Sequence, residues 1–358
     1  MIVTGDRAWL AQEGKMSDDY IISARKRAGD ALIAEPGPIK FLKVPAALDS
    51  YDARQAVSSA KDWVTEVQGL ADGDENPNSI GPRGDVLIFV HGYNNDIPTV
   101  LRRIRQLGAD MRAEGWHGVI VAFDWPSDNQ TLNYLEDRSD AAAVASELVT
   151  KGIRLLKQSQ QSGCETNVHL LGHSTGCYVI MDAFAQSDKQ GDLFKADWRV
   201  GQVAFIGGDV STDSLALASD WNQPMFRRIM RLTNYSNPFD SVLAVSNAKR
   251  LGVAPRVGRV GLPDAVNAKA VDVNCGKYFE TLNPASQPQI GSWTHSWHIG
   301  NRVFARDLAM TLEGAIDRHA IPTRREEAGK LILQDRPRPA FQGAWNVKAD
   351  AQDARARI

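Results

Sequence analysis

The segment Leu171-Gly172-His173-Ser174-Thr175-Gly176 carries a serine at the spacing G-x-S-x-G. A serine hydroxyl attacks only when a neighbouring base takes its proton, and it reaches a substrate only when the chain presents it on a sharp turn. Such a turn crowds the backbone, so the positions two before and two after the serine must be small, as Gly172 and Gly176 are. The motif follows an apolar run, Val168-His169-Leu170-Leu171, and precedes residues 175–186, which read as a helix. That strand–turn–helix setting separates a working motif from a chance one. The helix N-terminus would also favour negative charge at the reacting centre.

Attack on an acyl carbon builds an oxyanion, which needs backbone N–H donors. One is expected from Thr175, the residue after the nucleophile. The other is expected from the loop His91-Gly92-Tyr93-Asn94-Asn95, with Tyr93 as donor. His91 itself reads as a structural hydrogen-bonder, because the base normally comes last in such a chain.

These residues need a scaffold. Val86–Val90 and Val119–Phe123 are continuous apolar runs, as expected of strands covered on both faces, and Val168–Leu171 reads as a third strand. Residues 203–206 and 230–235 extend the series. Between them lie helical patterns at 97–114, 137–158 and 175–186, and later at 299–316; Pro98 fits the first turn of the one at 97–114. Strands alternating with helices imply a mostly parallel sheet with helices on both faces, an α/β fold. Tyr20–Arg25 reads as a short edge strand, 53–69 as a helix and 71–84 as a polar loop. Residues 1–84 are therefore expected to form an N-terminal extension flanking a catalytic domain at 85–318. Residues 207–229 and 247–294 fit the rhythm badly and are candidate cap or lid insertions. Residues 319–358 are expected to be a tail, with 323–338 solvated or docking.

The 358 residues include 41 basic and 43 acidic side chains, a net charge of -2, which argues against nucleic-acid binding through basic character. Three cysteines are too few for a disulfide framework, and no Cys-x-x-Cys pair exists. The N-terminus lacks a signal-peptide core and no stretch is apolar enough to span a membrane, so the expected location is cytoplasmic.

VLIFVHGYNND, VAFDWPS and VHLLGHSTG together resemble the serine-dependent α/β-hydrolase superfamily, and within it a bacterial esterase/lipase-like group of poorly assigned function. The resemblance covers about 85–310. It implies an α/β-hydrolase fold and the triad order serine, acid, histidine. Asp240, in the turn after the 230–235 strand, resembles the acid of that group, with helix capping as its plainer role; Asp209 is the alternative acid, expected to shape the site. The catalytic histidine of the group is followed by serine and an aromatic residue, as in His295-Ser296-Trp297. That favours His295 as base over His298, while His319 reads as a helix-end cation. His173, Trp125, Trp297 and His298 are expected to bind substrate, with core packing as the alternative for the tryptophans. Cys177 reads as a small buried hydrophobe.

The expected chemistry is hydrolysis of a small-molecule carboxylic ester through an acyl-enzyme, with no metal and no cofactor. A thioesterase or acyltransferase using the same triad, and a non-catalytic binding protein of this fold, are the alternatives.

Overall fold

The computed structural model describes residues 17–72, 85–127, 142, 144–154, 156, 166–189, 198–248, 255–288 and 290–339. The expected loop at 71–84 and the helix at 137–158 fall partly outside them. So do the 249–254 part of one expected insertion and the end of the expected tail.

Ten strands form one sheet: β1 (Asp19–Ala28), β2 (Ala31–Val44), β3 (Val86–Val90), β4 (Val119–Asp124), β5 (Val168–His173), β6 (Val200–Ile206), β7 (Ile229–Ser236), β8 (Ala270–Asn274), β9 (Arg324–Glu327) and β10 (Lys330–Leu333). Their order is β2-β1-β4-β3-β5-β6-β7-β8-β10-β9. Every neighbouring pair is parallel except the two outermost, β1 with β2 and β10 with β9.

Helices cover both faces because strand residues alternate between them. Val86, Ile88 and Val90 of β3 join the core beneath α1 (Ala60–Asp72), the helical residues 144–154 and α3 (Thr175–Asp188). Leu87 and Phe89 join the opposite core, beneath α2 (Ile97–Ala113) and α5 (Arg302–Glu313). A shorter helix, α4 (Ser241–Ala248), follows β7. Asp96 caps α2 by accepting from Thr99 N, and Pro98 occupies the first turn.

Three expectations are corrected. Tyr20–Arg25 belongs to an interior strand, because β2 closes the edge outside it. Pro36, Gly37 and Pro38 disguise β2 as a loop, and proline is tolerated there because an outermost strand need not donate on its free side. The expected insertion at 247–294 contains β8, a full member of the sheet. That at 207–229 is the β6–β7 crossover, whose helix Gln223–Arg228 buries Pro224, Met225 and Phe226.

Residues 323–338, expected to be solvated or docking, dock on the sheet. Leu331, Ile332 and Leu333 are buried, while Arg325, Glu326 and Glu327 stay exposed, so the hairpin β9–β10 has a charged outer strand that hides an apolar inner one. Arg324 anchors it. The guanidinium donates to Asp307 of α5 at 2.6 Å and 2.9 Å, and Tyr235 of β7 donates to the same carboxylate at 2.6 Å. Both charged side chains are fully buried. Arg324→Met leaves Asp307 charged without its partner, and such a loss typically costs about 3–5 kcal/mol. Urea unfolding of the variant at pH 7 is expected to show a fall in stability of that size.

Candidate active site

The C-terminal ends of β3 to β7 meet at one edge of the sheet, where an open α/β sheet gathers its loops. Ser174 sits between β5 and α3 with φ 56° and ψ -123°, a backbone conformation that only a tightly constrained turn maintains. Three hydrogen bonds hold it: Ser174 N donates to Ile206 O at 3.0 Å, and Ser174 O accepts from Cys177 N and Asp209 N, each at 3.1 Å. A Cβ at Gly176 would lie 2.1 Å from Val90 O, so glycine is required for α3 to pass β3 so closely.

Asp240, in the turn after β7, and His295, on the short helix Trp293–Ser296 before α5, are brought together. His295 Nδ1 donates to Asp240 Oδ2 at 2.6 Å, and both side chains are buried. The other carboxylate oxygen, Oδ1, accepts from Leu243 N at 2.9 Å and caps α4. Capping and orienting the imidazole are thus two tasks of one carboxylate, one on each oxygen. With its proton on Nδ1, the ring offers the Nε2 lone pair as a base.

Asp209 is engaged otherwise. Its carboxylate faces Arg256 at 2.9 Å, both nearly fully buried, while its amide holds Ser174 O. His319 is exposed. Neither ring nitrogen of His298 has a partner among the described residues, and the ring packs edge-on to Phe304 at 5.2 Å. Burial, and then the neighbouring His295, push its pKa well below the usual histidine value, which favours the neutral ring.

The four residues expected to contact substrate are all buried. Trp125 is fully buried, and its indole donates to His91 O at 2.7 Å. Trp297 is 2% exposed and packs edge-on to Phe304 at 6.4 Å. Arg103 donates to His173 Nδ1 at 3.1 Å; a guanidinium only donates, so Nδ1 accepts and the proton sits on Nε2. That nitrogen faces His295 O at 3.3 Å and Ser296 Oγ at 3.4 Å. Burial and then the Arg103 charge hold the pKa of His173 well below its usual value, leaving it neutral. His173 therefore steadies the backbone of His295. Cys177 is fully buried, its thiol raised by that burial.

Thr175 opens α3, so its N–H is among the first-turn donors that the helix cannot satisfy. Tyr93 is half-buried in the loop after β3. Among the described residues no group of three or more His, Cys, Asp or Glu is arranged to hold a metal ion. No helix among them is long and apolar enough to cross a membrane.

Residues 78–278, more than half of the chain, match a sequence family described as "Alpha/beta hydrolase of unknown function (DUF900)". The chain belongs to this alpha/beta hydrolase family. A search of the curated proteins finds no match. Similar solved structures include Aspergillus fumigatus lipase B, with 15% identity, a TM-score of 0.37 and coverage of 79% of this chain and 61% of the lipase. The hydrolase thus spans about three fifths of that lipase's length. A cutinase-like protein from Cryptococcus sp. has 16% identity and a TM-score of 0.33, covering 66% of this chain and 97% of its own. A metagenomic carboxyl esterase, MGS0156, has 12% identity and a TM-score of 0.33, covering 72% and 91%.

Sequence reasoning passed over two residues that shape the site. Arg103 carried a signal: it lies three residues after Val100 and four before Leu107, on the apolar face of α2. Gly207, which ends β6 with φ 53°, carried none beyond being glycine. A Cβ there would lie 3.0 Å from His295 Cε1 and Nδ1. Gly207→Ala in this hydrolase is expected to fold with a strain cost of about 1 kcal/mol. By pressing on the imidazole it is expected to lower kcat by roughly tenfold or more. Thermal melting beside steady-state turnover separates the two effects.

Proposed function

We propose that this chain is a serine hydrolase of carboxylic esters. The observation that carries the reading is the 2.6 Å contact between His295 Nδ1 and Asp240 Oδ2 at the sheet edge that also presents Ser174 on its strained turn. Ser174 Oγ attacks the acyl carbon while His295 Nε2 takes its proton. Asp240 keeps the imidazole in the Nδ1–H tautomer and stabilises the imidazolium that forms. The N–H groups of Tyr93 and Thr175 receive the oxyanion, with the N-terminus of α3 adding its field. Collapse of the tetrahedral intermediate breaks the ester C–O bond, and His295 Nε2 returns the proton to the departing alkoxide. Water, deprotonated by the same nitrogen, then cleaves the acyl-enzyme and releases the acid. No metal or organic cofactor takes part.

Acyl length is read out with a panel of p-nitrophenyl esters. Ser174→Ala is expected to remain folded, to lose hydrolysis by roughly 10⁴-fold or more and to lose fluorophosphonate labelling. Near-normal turnover by the folded variant on an ester that the parent cleaves would rule the mechanism out.

The two neighbouring histidines provide a second check. His295→Ala is expected to abolish acyl-enzyme formation. His298→Ala removes only a packed neutral ring and is expected to keep measurable turnover. The opposite ranking, with both proteins folded by circular dichroism, reassigns the base.

A further inference from the structure

We infer that Arg25, on the N-terminal hairpin, is a positioning residue for the oxyanion-binding loop, acting with Asp124 and Asn95; the inference rests on the serine-hydrolase reading. Arg25 lies outside residues 78–278, the span shared with the family. It is 3% exposed and lies on β1, next to β4, which ends at Asp124. Its Nε donates to Asp124 Oδ1 at 2.8 Å, and its NH2 group donates to Asn95 O at 2.9 Å. Asp124 is fully buried and also accepts from Ser23 Oγ at 3.1 Å. Burial alone would raise the Asp124 carboxyl, but the Arg25 charge, with His91, reverses this and holds it at about 2.

The route to the site is short. Asn95 Nδ2 donates to Gly92 O and Tyr93 O, each at 2.8 Å, and Gly92 O also lies 2.8 Å from His91 Nδ1. Gly92 O and the Tyr93 N–H belong to one planar trans peptide and point in opposite directions. Holding the carbonyl therefore aims the amide. That peptide lies against the nucleophile, since a Cβ at Gly92 would be 2.7 Å from Ser174 Cβ. Ser127 completes the clamp: its Oγ accepts from Asn95 N at 3.2 Å and donates to Asn95 O at 3.1 Å. Arg25 comes from the N-terminal hairpin and supplies the charge that compensates Asp124. A lysine in its place has a single ammonium and no planar fork to engage Asp124 and Asn95 together.

The test uses the full chain and a p-nitrophenyl ester that the parent cleaves. Removing one member of a buried pair endangers folding, whereas replacing both with apolar side chains is often neutral. The primary variant is therefore the double substitution Arg25→Met with Asp124→Leu, beside Arg25→Lys and Ser127→Ala. The double variant is expected to melt cooperatively and to show kcat reduced by about 10- to 100-fold, with KM changed by less than about threefold. Ser174 should take up fluorophosphonate more slowly by a similar factor. Arg25→Lys is expected not to restore kcat, and Ser127→Ala to show a smaller loss of the same kind. Parental kcat in a folded double variant, or losses confined to KM, overturns the positioning role. If the double variant does not fold, the folded Ser127→Ala and Arg25→Lys proteins decide, and parental kcat in both overturns it. A parent protein that neither hydrolyses the ester nor takes up the fluorophosphonate fails the hydrolase reading itself, and the positioning role with it.

Discussion

The turn at Ser174 is the constraint on which the rest of the structure depends. A non-glycine residue at φ 56° is held there only if its surroundings forbid relaxation. β6 supplies a carbonyl to its amide, α3 and the segment after β6 supply amides to its carbonyl, and the close pass of Gly176 over β3 removes the space into which the turn could open. Loosening any of these neighbours would let the serine swing back into ordinary geometry. The parallel sheet matters because it brings the C-terminal ends of β3, β5, β6 and β7 to that one place.

The central strands were legible in the amino-acid sequence because a strand buried on both faces must be apolar throughout, as Val86–Val90 is. The serine turn was legible for a related reason: its sterics demand glycines at fixed spacing. The outer strands were not. β2 contains Pro36, Gly37 and Pro38 and still pairs with β1, because only one of its sides must be hydrogen-bonded. β9 carries exposed charges because it has water beyond it. At the site, Asp240 and His295 were singled out through the resemblance to the hydrolase group, because chain order alone left several acids and histidines open. The roles of Arg103 and Arg25 could not, since each depends on partners 70 or more residues away. For the tryptophans the sequence left pocket wall and core both open, because an aromatic side chain near a nucleophile suits the two equally. Only the fully buried indole of Trp125, bound to His91 O, separates the two.

Among the described residues, three buried ion pairs join distant segments. Arg25 with Asp124 ties the first hairpin to the centre of the sheet, Arg324 with Asp307 ties on the last hairpin, and Arg256 with Asp209 ties the β7–β8 crossover to the loop after β6. Desolvating such pairs offsets much of their attraction, so they contribute little net stability. Their geometry is demanding, however, and a hairpin docked one residue out of register would strand a charge in the core. The two ends of the sheet are thus selected for register more than for strength.

The position of β1 also bears on how the chain reaches its native state. It lies parallel to β4, and its Arg25 joins Asp124 across 99 residues of sequence. A pairing so distant must wait for the intervening chain to be made and collapsed, which places it among the slow events of folding. During synthesis the β1–β2 hairpin is complete long before β4 exists, and the side of β1 that will receive it is an open strand edge. Maturation of the loop at Gly92 and Tyr93 is therefore coupled to the closing of that edge, and a molecule whose inner sheet has formed first would hold its serine turn before the surrounding loops are locked.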